Sequence, residues 1–347
     1  MSKILITSDL HLTDQVNDFY RFEFLKYLVE FIQTESITNT FFLGDHTDRK
    51  NNHSAELVNT IVEHLVAISE HSHLHLLAGN HDSVSEDCPY FLFINKGFEN
   101  ITFYKTPTQI GYDKTHFGNV YPVLILPFAR DSITAWADLE VDPKTKLIFM
   151  HQTITGSKAS NGMIMEGLST EFLHTKFGKT PIISGDIHVP QTIGPVTYVG
   201  SPYHVHFGDH SFTPRFMTLD TKTGKTTDHF YPNAPKKVRL TIHNPSDLTN
   251  YEFKEFDQIK IDLKLHKSDW VQHEQHKTEI KEFCDKNNLL LKGIMITELD
   301  SKTDKDQLIK HTKREDVLAF TPEKVFDNFC AERKIDNNLI QLGKSFL

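Results

Sequence analysis

Leu77-Ala78-Gly79-Asn80-His81-Asp82 is the stretch on which the reading of this chain turns. Four other short runs end in the same kinds of residue. They are Ser8-Asp9-Leu10-His11, Gly44-Asp45-His46-Thr47-Asp48, Phe149-Met150-His151 and Ser184-Gly185-Asp186-Ile187-His188. Each follows an apolar, often β-branched run: HLHLL before the first, then KILIT, TNTFFL, KLIFM and PIIS. Runs of this length bounded by turn residues read as buried strands of an α/β sheet. Asp, Asn and His placed just past strand ends meet in one crevice, where open α/β sheets bind ligands.

The chain around these runs reads as β-α-β-α-β over its first 80 residues, which implies parallel strands joined by right-handed crossovers. A helical stripe at Phe24, Leu25, Leu28 and Phe31 follows the first strand, and Ser54 is a natural N-cap for a helix through Leu57, Ile61, Leu65 and Ile68. Strands are expected at 101–104 and 120–127, and two antiparallel ones at 196–199 and 215–219. Pro232-Asn233-Ala234-Pro235-Lys236-Lys237 has linker composition. A strand, a helix and a strand come after it. The expected organisation is therefore an α/β main domain over 1–233, a small α+β capping domain over 238–300 and a helical C-terminal segment over 304–347. In that last segment Thr321-Pro322-Glu323 is a helix start, and Val325, Phe326 and Phe329 share one face.

With 347 residues there is ample chain for a full core. Composition is that of an ordinary soluble protein, 38% hydrophobic and 24% charged, with no apolar run near the ~18 residues of a membrane span. No signal-peptide pattern precedes the first strand, and three scattered cysteines show no ligand spacing, so free thiols in the cytoplasm are expected. The net charge of -9 argues against a protein that holds nucleic acid mainly by its own basic surface. Divalent ions at a phosphate site would soften that objection. Gly224-Lys225-Thr226 and Gly178-Lys179-Thr180 lack the earlier glycine of a nucleotide-binding loop, so this chain is not read as an NTPase.

The five runs supply more carboxylate, amide and imidazole than one cation needs. Asp45 suits a bridging role, Asp9, His11 and His188 complete one cation site, and Asn80, His151 and Asp186 the other. A mixed nitrogen and oxygen shell favours first-row divalent metals over calcium. Such a pair activates water and neutralises charge on an in-line phosphoryl transition state. His81, beside a ligand, is placed to protonate the leaving oxygen. Asp48 is expected to orient His81 by accepting its other ring N–H.

At these residues the chain resembles the calcineurin-like metallophosphoesterase superfamily, whose signature runs DxH, GDxxD, GNH[DE], H and GHxH. The resemblance covers roughly residues 3 to 220. Val199-Gly200-Ser201-Pro202 with Phe207-Gly208-Asp209, and Pro190-Gln191, are similar to the GSP…FGE region of SbcD-type DNA nucleases. That resemblance implies a β-sandwich flanked by helices, manganese or magnesium as cofactor, DNA as substrate, a homodimer, and an SbcC-like ATPase partner docked on the C-terminal helices. One position departs from the signature: Asp186 stands where an imidazole is expected, adding negative charge that suits manganese or magnesium.

Arg49 resembles the phosphate-gripping arginine of the Ser/Thr phosphatase branch, and equally fits a solvated loop. His204, His206 and His210 could line a substrate groove, although in a chain with 21 histidines they, like His46, also read as surface. Lys236, Lys237 and Arg239 are candidates for DNA-backbone contacts or plain linker charges. The expected function is DNA phosphodiester hydrolysis. The alternatives are a phosphatase or cyclic-nucleotide phosphodiesterase, and a non-catalytic scaffold on the same fold.

Overall fold

Two six-stranded sheets stack face to face, and what alternates along each strand is which core a side chain enters. The computed structural model describes residues 3–83, 88–111, 114–115, 118–119, 121–209 and 212–299. His210 and the helical segment expected over 304–347 lie outside the described residues. In chain order the elements begin β1 (Lys3–Thr7), α1 (Tyr20–Glu35), β2 (Asn39–Phe42), α2 (Ala55–Ser69), β3 (His73–Leu77) and β4 (Ile101–Tyr104). Next come β5 (Thr108–Ile110), a ribbon of β6 (Lys114–Thr115) and β7 (Gly118–Asn119), β8 (Val123–Leu126) and the short α3 (Ser132–Ala135). β9 (Leu147–His151), α4 (Thr170–Phe177), β10 (Ile182–Gly185), β11 (Gln191–Ile193) and β12 (Val196–Tyr198) follow. The chain then adds β13 (Phe216–Asp220), β14 (Thr226–His229), β15 (Lys237–Ile242), β16 (Gln258–Leu265), α5 (His273–Lys286) and β17 (Leu290–Glu298).

The first sheet has the order β14-β13-β1-β2-β3-β4 and the second β11-β12-β10-β9-β8-β5. Ile4 and Ile6 of β1, Phe41 of β2 and Leu77 of β3 meet Phe149 of β9 and Ile183 of β10 in the core between the sheets. The intervening Leu5, Phe42, Leu74 and Leu76 pack instead on α1 and α2. Ile148 and Met150 point the other way, to α4. Both faces of the central strands are thus buried, which is why their sequences are continuous apolar runs and not alternating ones. Ser54 caps α2 by accepting the Leu57 N–H at 3.1 Å, and Leu57, Ile61 and Leu65 are buried in this core.

β1, β2, β3 and β4 are mutually parallel, as the early β-α-β-α-β reading requires. The expectation of two antiparallel closing strands needs correction. β13 does run antiparallel, beside β1 in the first sheet, but β12 runs parallel to β10 in the second. The tight turn at Gly194, with φ of 54°, lets β11 fold back on β12, and β12 then feeds the chain across to the first sheet.

The chain after residue 236 forms a third sheet, β15-β16-β17, with α5 between its last two strands. β15 begins at Lys237, where the sequence suggested linker. By its contacts the chain separates into two units. The first takes residues 1–263 and 275–295; of the second, 264–274 and 296–299 are described. There Lys267 pairs with Glu298 at 3.7 Å. Cys88 is exposed, Cys284 is buried, and both are free thiols. No helix among the described residues is long and apolar enough to cross a membrane.

Lys236, Lys237 and Arg239 are not a common basic patch. Lys237 is 6% exposed, and Arg239 is paired with Asp262 at 2.7 Å. Burial, together with the nearby Arg21 cation, pulls the Lys237 amine down to about 8. An unfolded chain keeps that amine near its ordinary 10.5, so between the two values the unfolded state binds more protons. This group's contribution to stability therefore rises with pH through that window and is lost as pH falls through about 8. Urea melts of wild type and Lys237→Met at pH 8 and at pH 10 are expected to show the difference moving in favour of wild type at the higher pH. A pH-independent difference would contradict it.

Candidate metal centre

All five motif runs lie at the C-terminal ends of central strands, three on the first sheet and two on the second, His151 being the last residue of β9. The loops after β1 and β2 run side by side, Asp9 N–H donating to the Gly44 carbonyl at 3.1 Å and His11 N–H to that of Asp45 at 2.9 Å. Asp9, His11, Asp45 and Asp186 all have positive φ, at 55°, 44°, 55° and 84°. Non-glycine residues in this region are uncommon and strained, and such strain collects at functional sites. At Gly79 an added methyl group would collide with the Asp45 carboxylate, and at Gly44 with the His151 ring, so both motif glycines are there to let two loops approach.

A carboxylate to which the sequence reading gave no role holds these loops together. Asp82 is fully buried and accepts N–H groups from Gly79 at 2.7 Å, Asp45 at 2.8 Å and His46 at 2.8 Å. In Asp82→Ala three buried donors lose their acceptor, and each costs about 1–3 kcal/mol. A drop of about 3 kcal/mol or more in the denaturant-derived stability is expected, with Asp82→Asn intermediate. A loss within experimental error would show that these bonds are replaceable.

Three groups of donors converge: Asp9 with His11 and His188, His11 with Asp45 and His81, and Asp9 with Asp45 and His151. The Asp45 carboxylate lies between two imidazoles, Oδ2 at 3.6 Å from His11 Nε2 and Oδ1 at 3.3 Å from His151 Nε2. Around the same His151 nitrogen stand Asn80 Oδ1 at 3.2 Å and Asp186 Oδ1 at 3.7 Å. The other Asp186 oxygen accepts the Thr153 hydroxyl, and the Asp186 N–H donates to Asp9 Oδ1 at 3.1 Å. Seven donor residues named from the sequence are therefore brought to one cluster.

The outer contacts fix which ring nitrogen faces inward. His151 Nδ1 donates to the Leu43 carbonyl at 2.6 Å, leaving the Nε2 lone pair toward the cluster. His188 Nδ1 faces Asp209 Oδ2 at 3.4 Å, which directs Nε2 inward in the same way. Asp209, the last residue of the Phe207-Gly208-Asp209 run, is fully buried and accepts the Val205 and His206 N–H groups, each at 2.8 Å. Burial alone would raise its carboxyl, but His188 outweighs that and holds it well below the usual carboxylate range.

These residues fit divalent cations on several independent observations. His11 Nε2 and His188 Nε2 are 3.1 Å apart, close enough to share either one ring proton or one cation. Asp9 Oδ2 is buried and has no hydrogen-bond partner among the described residues. Burial pushes the Asp9 carboxyl up to about 6 against the pull of His151 and His188, and raises Asp186 also. Burial opposes ionisation of Asp45 and His151 too, yet their mutual attraction drives Asp45 down and His151 well up. His11 is held well below its ordinary value by burial. Cations among these groups would keep the carboxylates ionised and the imidazoles neutral. Asp9, His11, Asp45 and His188 could hold one, and Asp45, Asn80, His151 and Asp186 a second.

His81 is half-buried, its ring edge-on to His11 with centroids 4.9 Å apart. Its backbone N–H donates to Asp45 Oδ1 at 2.9 Å. The expected role of the Asp48 carboxylate is corrected here: His81 Nδ1 donates to the backbone carbonyl of Asp48 at 2.7 Å. The Asp48 side chain turns to His11 instead, 3.7 Å from Nδ1. Because the loop backbone already supplies the acceptor, no side chain is needed for the task.

The outlying candidates divide. His206 is exposed, with its ring 5.3 Å from that of His188. Arg49 is exposed beside Asp48 and lines a small cleft with Leu12, Thr13 and Asn52. His204 is 5% exposed, contacting the Phe212 carbonyl at 3.2 Å and accepting the Lys237 N–H at 3.3 Å, and it lines a cleft with Phe212, Phe230 and Tyr251 that includes none of the seven donor residues. His46, read as surface, is buried too, and bonds the Leu77 carbonyl at 2.9 Å.

The chain is 24% identical over 273 residues to Exonuclease subunit 1 of Enterobacteria phage T4, covering 75% of each. Among solved structures it is similar to an archaeal phosphodiesterase at 14% identity and a TM-score of 0.35, covering 66% of this chain and 99% of that one. It is also similar to a dimetal phosphatase from Danio rerio at 11% identity and a TM-score of 0.38, covering 62% and 91%. The family model for calcineurin-like phosphoesterases matches residues 2–190, more than half of the 347, and spans every motif loop described above. The chain belongs to the calcineurin-like phosphoesterase family and is a metal-dependent phosphoesterase.

Proposed function

We propose that this protein is a two-metal DNA nuclease, the catalytic subunit of an SbcCD-like complex with an ATPase partner. The observation that carries the reading is the Asp45 carboxylate set between His11 and His151 with His81 alongside. That arrangement suits a phosphodiester spanning two cations, with a proton donor at the leaving oxygen. The likeness to an exonuclease subunit supports DNA as the polymer and a multi-chain assembly as the working form. Manganese suits the mixed shell best, because Asp186 adds a carboxylate where the signature has an imidazole. When bound, the cations activate water and neutralise phosphoryl charge.

The chain's own residues do the rest. Asp45 keeps the two halves of the site in register. His151 and His188 present Nε2 because Leu43 and Asp209 occupy their Nδ1. His81 has Nδ1 anchored on Asp48, so Nε2 is the nitrogen left to act: as the imidazolium it gives its proton to the departing 3′ or 5′ oxygen and is then reprotonated from water. The residues over 304–347 are proposed as the ATPase-docking segment, and the cytoplasm as the compartment.

The test is a substrate panel with the purified chain and manganese: end-labelled linear duplex, circular single-stranded DNA, bis-p-nitrophenyl phosphate and cyclic nucleotides. Shortening of the labelled duplex together with diester turnover is expected. Rapid turnover of bis-p-nitrophenyl phosphate or cyclic nucleotides with intact DNA, also in the presence of a copurified ATPase, would replace the nuclease with a small-molecule esterase.

A further inference from the structure

A buried ionic knot ties β15 to the loops of the metal centre. Lys237, at the start of β15, donates to Asp18 Oδ1 at 3.1 Å and to the Val205 carbonyl at 3.1 Å. The other Asp18 oxygen pairs with Arg21 at 3.0 Å and accepts the Thr13 hydroxyl at 3.2 Å. Arg21 is 2% exposed, and it also donates to the His11 carbonyl. Val205 in turn belongs to the turn whose N–H groups hold Asp209, the partner of His188. One ammonium group therefore lies between the loop that carries His11 and the loop that orients His188. Both histidines serve the same donor group, with Asp9. These bonds do not end on the loops of Asn80 or His151.

A tie between sheets does not by itself call for ions. Apolar side chains of similar volume do that work at equal or better stability. Here one carboxylate is shared by two buried cations, a surplus positive charge that packing alone does not explain. What the charges add is direction, since each ends on a backbone carbonyl or carboxylate of a loop that places a metal-binding histidine.

We propose that Lys237 is a positioning residue of the phosphoesterase reaction, setting through Asp18 and Arg21 the loop of His11 and through Val205 the loop of Asp209 and His188, so that the seating of β15 is read out as the affinity of one of the two cation sites. The proposal rests on the two-metal reading above. Displacing β15 breaks the ammonium's bonds to both loops at once, which slackens the His11–His188 side and spares the Asn80–His151 side.

Full-length wild type, Lys237→Met and Lys237→Arg are compared by stepwise manganese titration, followed by electron paramagnetic resonance, with thermal melts and bis-p-nitrophenyl phosphate turnover alongside. Removing Lys237 leaves Asp18 and Arg21 as a neutral pair, so the methionine variant is expected to fold. It is expected to bind one manganese as wild type does and the second about 10-fold more weakly, the usual cost of losing an outer-shell partner. Its turnover falls at limiting manganese and returns at saturation, and the arginine variant restores both affinities. Two unchanged affinities in the methionine variant, or two weakened equally, would overturn the proposal. Should that variant fail to fold, Lys237→Gln, which keeps a donor for Val205, carries the same comparison. Wild type that binds fewer than two manganese ions would sink the two-metal reading itself, a result visible before any substitution is made.

Discussion

His81→Ala is expected to lower kcat for phosphodiester cleavage by about 10²–10⁴-fold, the usual contribution of a positioned general acid or base. Metal content is expected to stay at the wild-type level. The two outcomes separate because the residue has two roles carried by different atoms. Its peptide N–H, which alanine retains, donates to Asp45 Oδ1 at 2.9 Å. Its ring, which alanine lacks, is anchored through Nδ1 on the Asp48 carbonyl at 2.7 Å. Steady-state kinetics with parallel metal analysis check this. A wild-type rate in His81→Ala would remove His81 from the chemistry, and loss of metal would recast it as a ligand, as its grouping with His11 and Asp45 permits.

Asp45→Asn is expected to have the other large effect, through the cations and not the proton. The two Asp45 oxygens face different imidazoles, and an asparagine offers one oxygen and turns an N–H₂ toward the second site. Affinity for the pair is expected to fall by more than the about 10–100-fold that an outer-shell change costs. The fold should survive, because asparagine tolerates the positive φ of 55° that this position requires. Circular dichroism unchanged from wild type, with stoichiometry reduced from two ions toward one or none, is the expected pair of results. Retention of two tightly held ions would show that Asp45 does not bridge.

The parts of the site that could be read in the sequence were those fixed by strand ends. A strand buried on both faces must be apolar throughout, so its end is marked by the first polar residues, and in five places these were Asp, Asn or His. Gly44 and Gly79 stand within the quoted runs, but the close approach of two loops that requires them shows only in the fold. What escaped were residues whose partners are distant in the chain. Asp82 sits inside the quoted GNHD stretch, but its acceptor role depends on N–H groups 36 and 37 positions away. Lys237 pairs with Asp18 across 219 residues, so it looked like one of several linker lysines. His204 and His46 looked like two more surface histidines in a chain with 21, because no local pattern distinguishes a ring bonded to a buried carbonyl. The direction of β12 was misread, antiparallel where it runs parallel to β10. Short strands carry no mark of orientation, and the turn at Gly194 sets it.

The central claim, that the converging side chains form a two-metal centre, is tested most directly by crystals soaked in manganese and measured at the manganese absorption edge. Two anomalous peaks about 3.5–4 Å apart, one on either side of the Asp45 carboxylate, are the expected result. One peak among Asp9, His11 and His188 is expected to pair with a second among Asn80, His151 and Asp186. A single peak, or peaks that leave Asp45 uncoordinated, would contradict the account.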